Sequence, residues 1–157
     1  MMQKLSNEIF AEIYSQVPRL CVEIIVDTPQ GIVLTKRLIP PCVGMWHIPG
    51  GTVYIGEKLE EAVHRVAINE IGVEIYIKNV IGIIDYVGLC ENSSLHAVGI
   101  VFLCELKSAE QKFKGSFQAE DIEMFKTIPE NTIPEQKRFL ERLNTYIGYV
   151  YSTKSRI

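Results

Sequence analysis

Gly50-Gly51-Thr52-Val53-Tyr54-Ile55-Gly56-Glu57, followed by Arg65, Glu70 and Gly72, is the stretch from which the rest of the chain is read. A glycine turn opens into an acidic segment of helical spacing, and a second glycine closes it. A loop, a helix and a loop in that order can hold a divalent cation against a phosphate-bearing substrate. Immediately upstream, Trp46-His47-Ile48-Pro49 reads as a short strand running into the glycine pair. On a wheel advancing about 100° per residue, Leu59, Ala62, Val63, Val66 and Ala67 share one side, which is expected to be buried. Glu57, Glu60, Glu61 and His64 fall opposite, toward solvent or the loops. Glu70 falls within the apolar stripe, where a carboxylate is costly unless paired or metal-bound. It is therefore a candidate metal ligand, with a carbonyl of the Gly50-Gly51 turn beside it; the plainer alternative is a terminal-turn Glu that reaches out to water. Glu57 either joins the cation through water or fixes Arg65, and its charge also suits a helix N-terminus, worth roughly 0.3–1 kcal/mol.

Around this segment the pattern alternates between strands and a few helices. Ser6 or Asn7 is placed to cap a helix carrying Ile9, Phe10, Ile13 and Val17, stopped by Pro18. Residues 20–27 read as a buried strand, Thr28-Pro29-Gln30-Gly31 as a turn and 32–38 as its hairpin partner. A loop over 39–45 leads to the Trp46 strand. Residues 73–87 predict one or two strands, 91–94 a turn, 95–106 a long strand and 108–120 a mobile loop. A short strand near 122–127 is expected before Pro129, and Pro134 opens a final helix to about Gly148. The fold class is therefore α/β in the α+β sense, a mixed sheet between helices in a single domain over residues 1–157.

Composition narrows the function. At 47% hydrophobic and 22% charged, the chain can bury a core. Its net charge of −3, with no basic block beyond Lys36-Arg37, argues against sequence-independent nucleic-acid binding. A weakly acidic protein that takes polyphosphates does so through a metal and a few placed cations. Cys21, Cys42, Cys90 and Cys104 show no metal-ligand spacing and are expected to be free thiols in a reducing cytoplasm. No run has signal-peptide or membrane-spanning character, so a soluble cytoplasmic protein is expected. His47 and His96 are expected to be satisfied strand histidines.

The spacing Gly51, five residues, Glu57, seven residues, Arg65, then Glu70-Ile71-Gly72-Val73 resembles the Nudix box, G-x5-E-x7-R-E-U-x-E-E-x-G-U, where U is a bulky aliphatic residue. Two acidic positions are missing, since Val66 and Asn69 stand where the box has Glu. An apolar residue after the Arg and a non-acidic one before the Glu is similar to the GDP-mannose mannosyl hydrolase branch. That likeness is dense over residues 5–75, through Pro18, Lys36-Arg37, Trp46 and Pro49-Gly50-Gly51. It then thins to scattered matches such as His96 and Gln118.

The resemblance implies the layered Nudix architecture, a homodimer, and hydrolysis of a nucleoside diphosphate linked to another group, a nucleotide sugar first. In that branch water attacks the anomeric carbon and a metal-bound nucleoside diphosphate leaves. The cation would be Mg²⁺ (or Mn²⁺), one ion, held by the Gly50 carbonyl, Glu70 and Gln118. Arg37 would stabilise the leaving diphosphate, with Glu23 in the place of an Asp acting beside it. Thr52 stands where the branch has an Arg at the diphosphate, Ala119 where it has its His base, and Ala97 where a Tyr meets the substrate. Glu120 or Glu123 is a candidate to supply the missing acidity or base. Trp46 is either core or a wall on which the base stacks. Two rival functions stay open: a diphosphate-cleaving pyrophosphatase of the nucleoside triphosphate or ADP-ribose type, and a catalytically silent nucleotide- or protein-binding domain.

Overall fold

In the computed structural model the described residues are 5–91, 95–115 and 119–143. Helix α1 (Asn7–Tyr14) is followed by β1 (Arg19–Thr28), β2 (Gly31–Arg37), β3 (Trp46–His47) and β4 (Gly50–Thr52). Helix α2 (Leu59–Val66) runs into a π turn (Ala67–Ile71), then β5 (Ile75–Val87), β6 (His96–Leu106) and β7 (Ala119–Phe125). Residues 134–143 form helix α3. Among the described residues these strands make one mixed sheet in the order β3-β2-β1-β6-β5, with β4 also on β1 and β7 also on β2. Strand β1 runs parallel to β6 and antiparallel to β2 and β4.

Strand β1 reads as an apolar run interrupted only by Glu23 over Leu20–Val26, because both of its faces are covered. Val22, Ile24 and Val26 join Val63, Val66 and Ile71 in the core under α2. Cys21 and Ile25 join Trp46, Ile48, Ile133 and Leu140 in the core under α3. Each fully buried Val or Ile contributes roughly 1.5–3 kcal/mol. The sheet is thereby fixed between α2 and α3, and the loop–helix–loop segment is pinned against the middle of β1 by the β1–β4 pairing.

Several expectations are corrected in detail. Helix α1 is capped by Ser6, which accepts from the Ile9 N–H, but it ends at Tyr14, short of Pro18. None of its residues is buried, and Ile9, Ile13 and Val17 stay exposed. The segment 73–87 holds one strand, Ile75–Val87, bent by register shifts at Ile77/Asn79 and Val80/Gly82. Strand β7 begins at Ala119, inside the expected loop, because its backbone pairs with β2. Cys42 and Cys90 are joined in a disulfide, while Cys21 and Cys104 are free and buried. Local spacing cannot reveal a pair 48 residues apart that the fold brings to a Cα–Cα distance of 5.7 Å. The expected end of the final helix and residues 92–94 of the expected turn lie outside the described residues. No helix among the described residues is long and apolar enough to cross a membrane.

Candidate active site

A cleft of about 1000 Å³ opens over the β1–β4 pairing, with α1 on one side and α2 with its π turn on the other. It is lined by Glu23, Arg37, Gly50, Thr52, Arg65 and Glu70, which the topology gathers from strands of the sheet and from α2 with its π turn. Its order comes first from an ion pair. The Arg65 guanidinium donates from Nε to Glu57 Oε1 at 2.6 Å and from Nη2 to Glu57 Oε2 at 2.8 Å. Nη2 also donates to the Thr52 carbonyl at 2.8 Å, and the Tyr54 N–H donates to Glu57 Oε2 at 2.9 Å. The Tyr54 ring lies 4.0 Å from the guanidinium carbon. The glycine loop is therefore clamped onto α2. Glu57 sits just before α2 with its side chain enclosed against the loop, so of the two directions the wheel allows, solvent or the loops, it takes the second. Of its two expected roles, the fixing of Arg65 is the one the geometry displays. That hydrogen-bonded partner holds the Glu57 carboxyl below its ordinary range.

Glu70 lies in the π turn and is 9% exposed. A π turn widens the helix by one residue and carries i→i+5 hydrogen bonds; here the Gly72 N–H reaches the Ala67 carbonyl. Gly72 closes the turn at φ 69°, a left-handed conformation that suits glycine. The widening keeps Ala67, Glu70 and Ile71 buried while Ile68 and Asn69 face water. Val66 is buried in the core, so the missing box carboxylate is replaced by packing. Glu60, Glu61 and His64 are exposed as expected, with Glu61 accepting from the Lys58 N–H.

Glu23 occupies the floor. A charge in an apolar strand suits an edge position, but β1 is central and Glu23 is only 6% exposed. Its side chain fills space left by glycines on both flanking strands: a Cβ on Gly50 would strike its carboxylate, and one on Gly99 would lie 2.7 Å from its Cγ. Tyr86 Oη donates to Glu23 Oε1 at 3.1 Å and accepts from Gln136 Nε2 at 2.9 Å. Gln136 Oε1 in turn accepts from the Ile48 N–H at 2.7 Å. Burial pushes the Glu23 carboxyl up to about 8, against the lowering effects of Tyr86, Arg19 and Arg37. Tyr86 and Gln136 line the cleft and hold its floor, and the sequence pattern does not single them out. The available signal is Tyr86 on the inward side of a strand, where a buried hydroxyl requires a partner.

Arg37 donates from Nε to the Pro41 carbonyl at 2.6 Å and from Nη2 to the Pro40 carbonyl at 3.4 Å, which folds the following loop around it. Burial lowers its pKa, and the charge of Arg19 lowers it further. Trp46 is turned away from the cleft. Its ring meets Phe125 edge-on at 4.8 Å in the core, so the stacking-wall alternative is set aside. His47 is buried, bonded to Thr35 Oγ1 and the Ile48 carbonyl, and held neutral by burial with a pKa of about 4. His96 pairs with Asp85 at 2.8 Å. Ala119 pairs with Arg37 across β7 and β2, Ala97 lies at the cleft, and Glu123 is exposed. Gln118 and the side chain of Glu120 lie outside the described residues.

Among the described residues no three His, Cys, Asp or Glu side chains are grouped to hold a metal ion. The donors that do share the cleft, the buried Glu70 carboxylate and the Gly50 carbonyl, are hard oxygens of the type Mg²⁺ and Mn²⁺ take. Such a partial set fits a cation that keeps water and substrate oxygens as its remaining ligands.

Comparison with known proteins agrees with this architecture. The chain is 26% identical over 145 residues to the low-salt glycan biosynthesis protein Agl8 of Haloferax volcanii, covering 90% of this chain and 92% of that protein. It is 32% identical over 108 residues to an ADP-ribose pyrophosphatase of Methanocaldococcus jannaschii, covering 69% of this chain and 62% of the relative. The crystal structure of a MutT NUDIX hydrolase from Burkholderia pseudomallei superposes with a TM-score of 0.70 at 24% identity, over 80% of this chain and 97% of that one. The MutT protein of Methanosarcina mazei gives 0.70 at 20% identity, over 82% and 95%. The NUDIX domain profile matches residues 17–145, and with the box residues around one cleft the chain belongs to the Nudix hydrolase family.

Proposed function

We propose that this chain, a single domain and a homodimer, hydrolyses a nucleoside diphosphate linked to a sugar, with one Mg²⁺ or Mn²⁺ ion. The observation that carries this reading is the cleft's economy of carboxylate. Val66 is core and Asn69 lines the cleft without a charge, leaving the carboxylates of Glu70 and Glu23 in a cleft shared with the Gly50 backbone and Arg37. Displacement at a sugar carbon requires charge neutralisation of a leaving diphosphate and a proton acceptor for water, and no cluster of carboxylates. Glu70, the Gly50 carbonyl and Gln118 would hold the ion, which when bound supplies charge neutralisation for the departing diphosphate. Arg37 steadies that diphosphate, Thr52 lies beside it, and Glu23 manages a proton at the floor. Glu57 and Arg65 keep the loop in place. The glycan-biosynthesis relative supports a sugar-bearing substrate. Exposed Ile9, Ile13 and Val17 on and just after α1 supply an apolar face for the dimer.

A second reading, cleavage of the diphosphate itself, is favoured by the ADP-ribose pyrophosphatase relative. Phosphorus NMR separates the two on a pool of nucleotide sugars, ADP-ribose and nucleoside triphosphates with Mg²⁺. Nucleoside diphosphate formed from a nucleotide sugar in heavy-oxygen water, with the label in the released sugar and none on phosphorus, and absent with Glu70→Gln, supports carbon–oxygen cleavage. Nucleoside monophosphate establishes the second reading. An unchanged pool with both proteins removes the proposal and leaves a binding domain.

A further inference from the structure

Among the described residues the cleft is lined by three arginines, and they are not equivalent. Arg65 is committed to Glu57 and the Thr52 carbonyl, whereas Arg37 holds the loop carbonyls of Pro40 and Pro41 through Nε and Nη2 while lining the cleft. Arg19 is the third. It opens β1 on the same face as Cys21 and Glu23, since alternate residues of a strand share a face. It lines the cleft, half-buried, with its guanidinium carbon 5.6 Å from the centre of the Phe10 ring. Phe10 is in turn set by Tyr14, whose ring centre is 4.6 Å away. Helix α1 contributes no buried residue to the core, yet it presents an aromatic seat that carries a cation at the cleft wall.

Opposite Arg19 and Cys21 stands β4, with Thr52 in register with Cys21. Position 52 brings no charge to that wall. Arg19 nevertheless acts within the cleft that both line: its charge is the main influence after burial on Arg37, and it also draws Glu23 and Cys21 downward. Two guanidinium groups lining one cleft, one of them largely desolvated, favour an anion between them.

We propose that Arg19, seated on Phe10, and Arg37 form a two-sided clamp for the diphosphate of the substrate. Arg19 takes the phosphate oxygens from the α1 side and Arg37 takes them from the loop side. This rests on the substrate reading above and adds to it a residue from the strand's entrance. The planar guanidinium fork matches phosphate oxygens in pairs, which a lysine does not. An anion spanning both arginines explains why a diphosphate, with charge at two centres, is the class of ligand this cleft fits.

The test is calorimetric titration of the full chain, in Mg²⁺ buffer, with inorganic pyrophosphate and with inorganic phosphate. Wild type is expected to bind pyrophosphate more tightly than phosphate. Arg19→Gln should weaken pyrophosphate about 10–100-fold, at unchanged melting temperature and circular dichroism. Arg19→Lys should recover only part of the loss. Equal pyrophosphate affinity in wild type and Arg19→Gln overturns the clamp, as does a wild type that binds no pyrophosphate. A loss accompanied by lowered melting temperature and restored fully by Arg19→Lys also overturns it, because Arg19 then only props α1. Failure of the substrate reading is distinguishable: wild type would bind pyrophosphate through Arg19 yet turn over no nucleotide sugar.

Discussion

Two buried glutamates, Glu23 lining the cleft and Glu57 behind the Arg65 that lines it, have opposite characters. Glu57 meets a guanidinium with both oxygens and is held ionised. Glu23 meets a tyrosine hydroxyl and two strand glycines, and burial drives it toward the neutral acid at about 8. The same side chain thus serves as a fixed strut at the rim and as a proton-bearing group on the floor. Burial alone does not determine a carboxylate's state; the presence of a bidentate cation does. The difference also separates the two roles, since the strut keeps its charge through the pH range where the floor residue changes.

The largest expected effect comes from breaking the strut. Arg65→Met strands the enclosed Glu57 charge and should destabilise the fold by about 3–5 kcal/mol, measured by urea unfolding at pH 7. Glu57→Gln together with Arg65→Met should recover part of that loss. A single variant as stable as wild type would show that the pair is not a strut at all.

Next comes the floor. With the native carboxyl at about 8 and an ordinary unfolded value of 4.5, native Glu23 keeps its proton through a window in which the unfolded chain has lost it. The contribution of Glu23 to the stability of the metal-free protein is therefore fully present below that lower value and is lost as pH rises through the upper one. The expected slope is at most about 1.4 kcal/mol per pH unit. Glu23→Gln should remove that component, read as the wild-type minus variant difference across the window. His47, depressed to about 4, contributes with the other sign, its stability being lost as pH falls from 6.5 toward that value; it is common to both proteins and cancels. A flat difference would abolish the contrast between the two glutamates.

A smaller effect sharpens the comparison. Tyr86→Phe removes the hydroxyl linking Gln136 to Glu23 and should cost about 1–3 kcal/mol, with Glu57 and Arg65 unaffected. As a control, Lys78→Ala, which breaks a pair with Glu105 in which both side chains are about half exposed, should shift stability by under about 1 kcal/mol. A larger loss there would show that surface charge, and not enclosure, sets the scale.

The strut is nearly legible in the sequence and the floor is not. Glu57 and Arg65 lie within one loop–helix segment whose spacing can be read, and the pairing of the two is one of the alternatives that spacing allows. Glu23 stands out only as a charge in an apolar run, because Tyr86 lies 63 residues away and Gln136 a further 50. The apolar stripe of α2 agrees with the buried face, since helical periodicity carries it. The π turn is hidden because a wheel of constant step has no place for an added residue, yet Glu70 still falls on the buried side. Arg19 passes as the ordinary start of a strand, since nothing nearby in sequence announces Phe10 as its seat.

Glu23 rests in a recess that three strands build together, with a glycine on each side of it. For anyone altering this chain, positions 23, 50 and 99 behave as one locus. Alanine at either glycine meets the Glu23 side chain, and a smaller residue at position 23 leaves a hole that side chains introduced at positions 50 and 99 are placed to fill. A library that varies position 23 by itself will return mostly collapsed clefts. One that varies all three together will sample new floors, and with them new reactions on an unchanged frame.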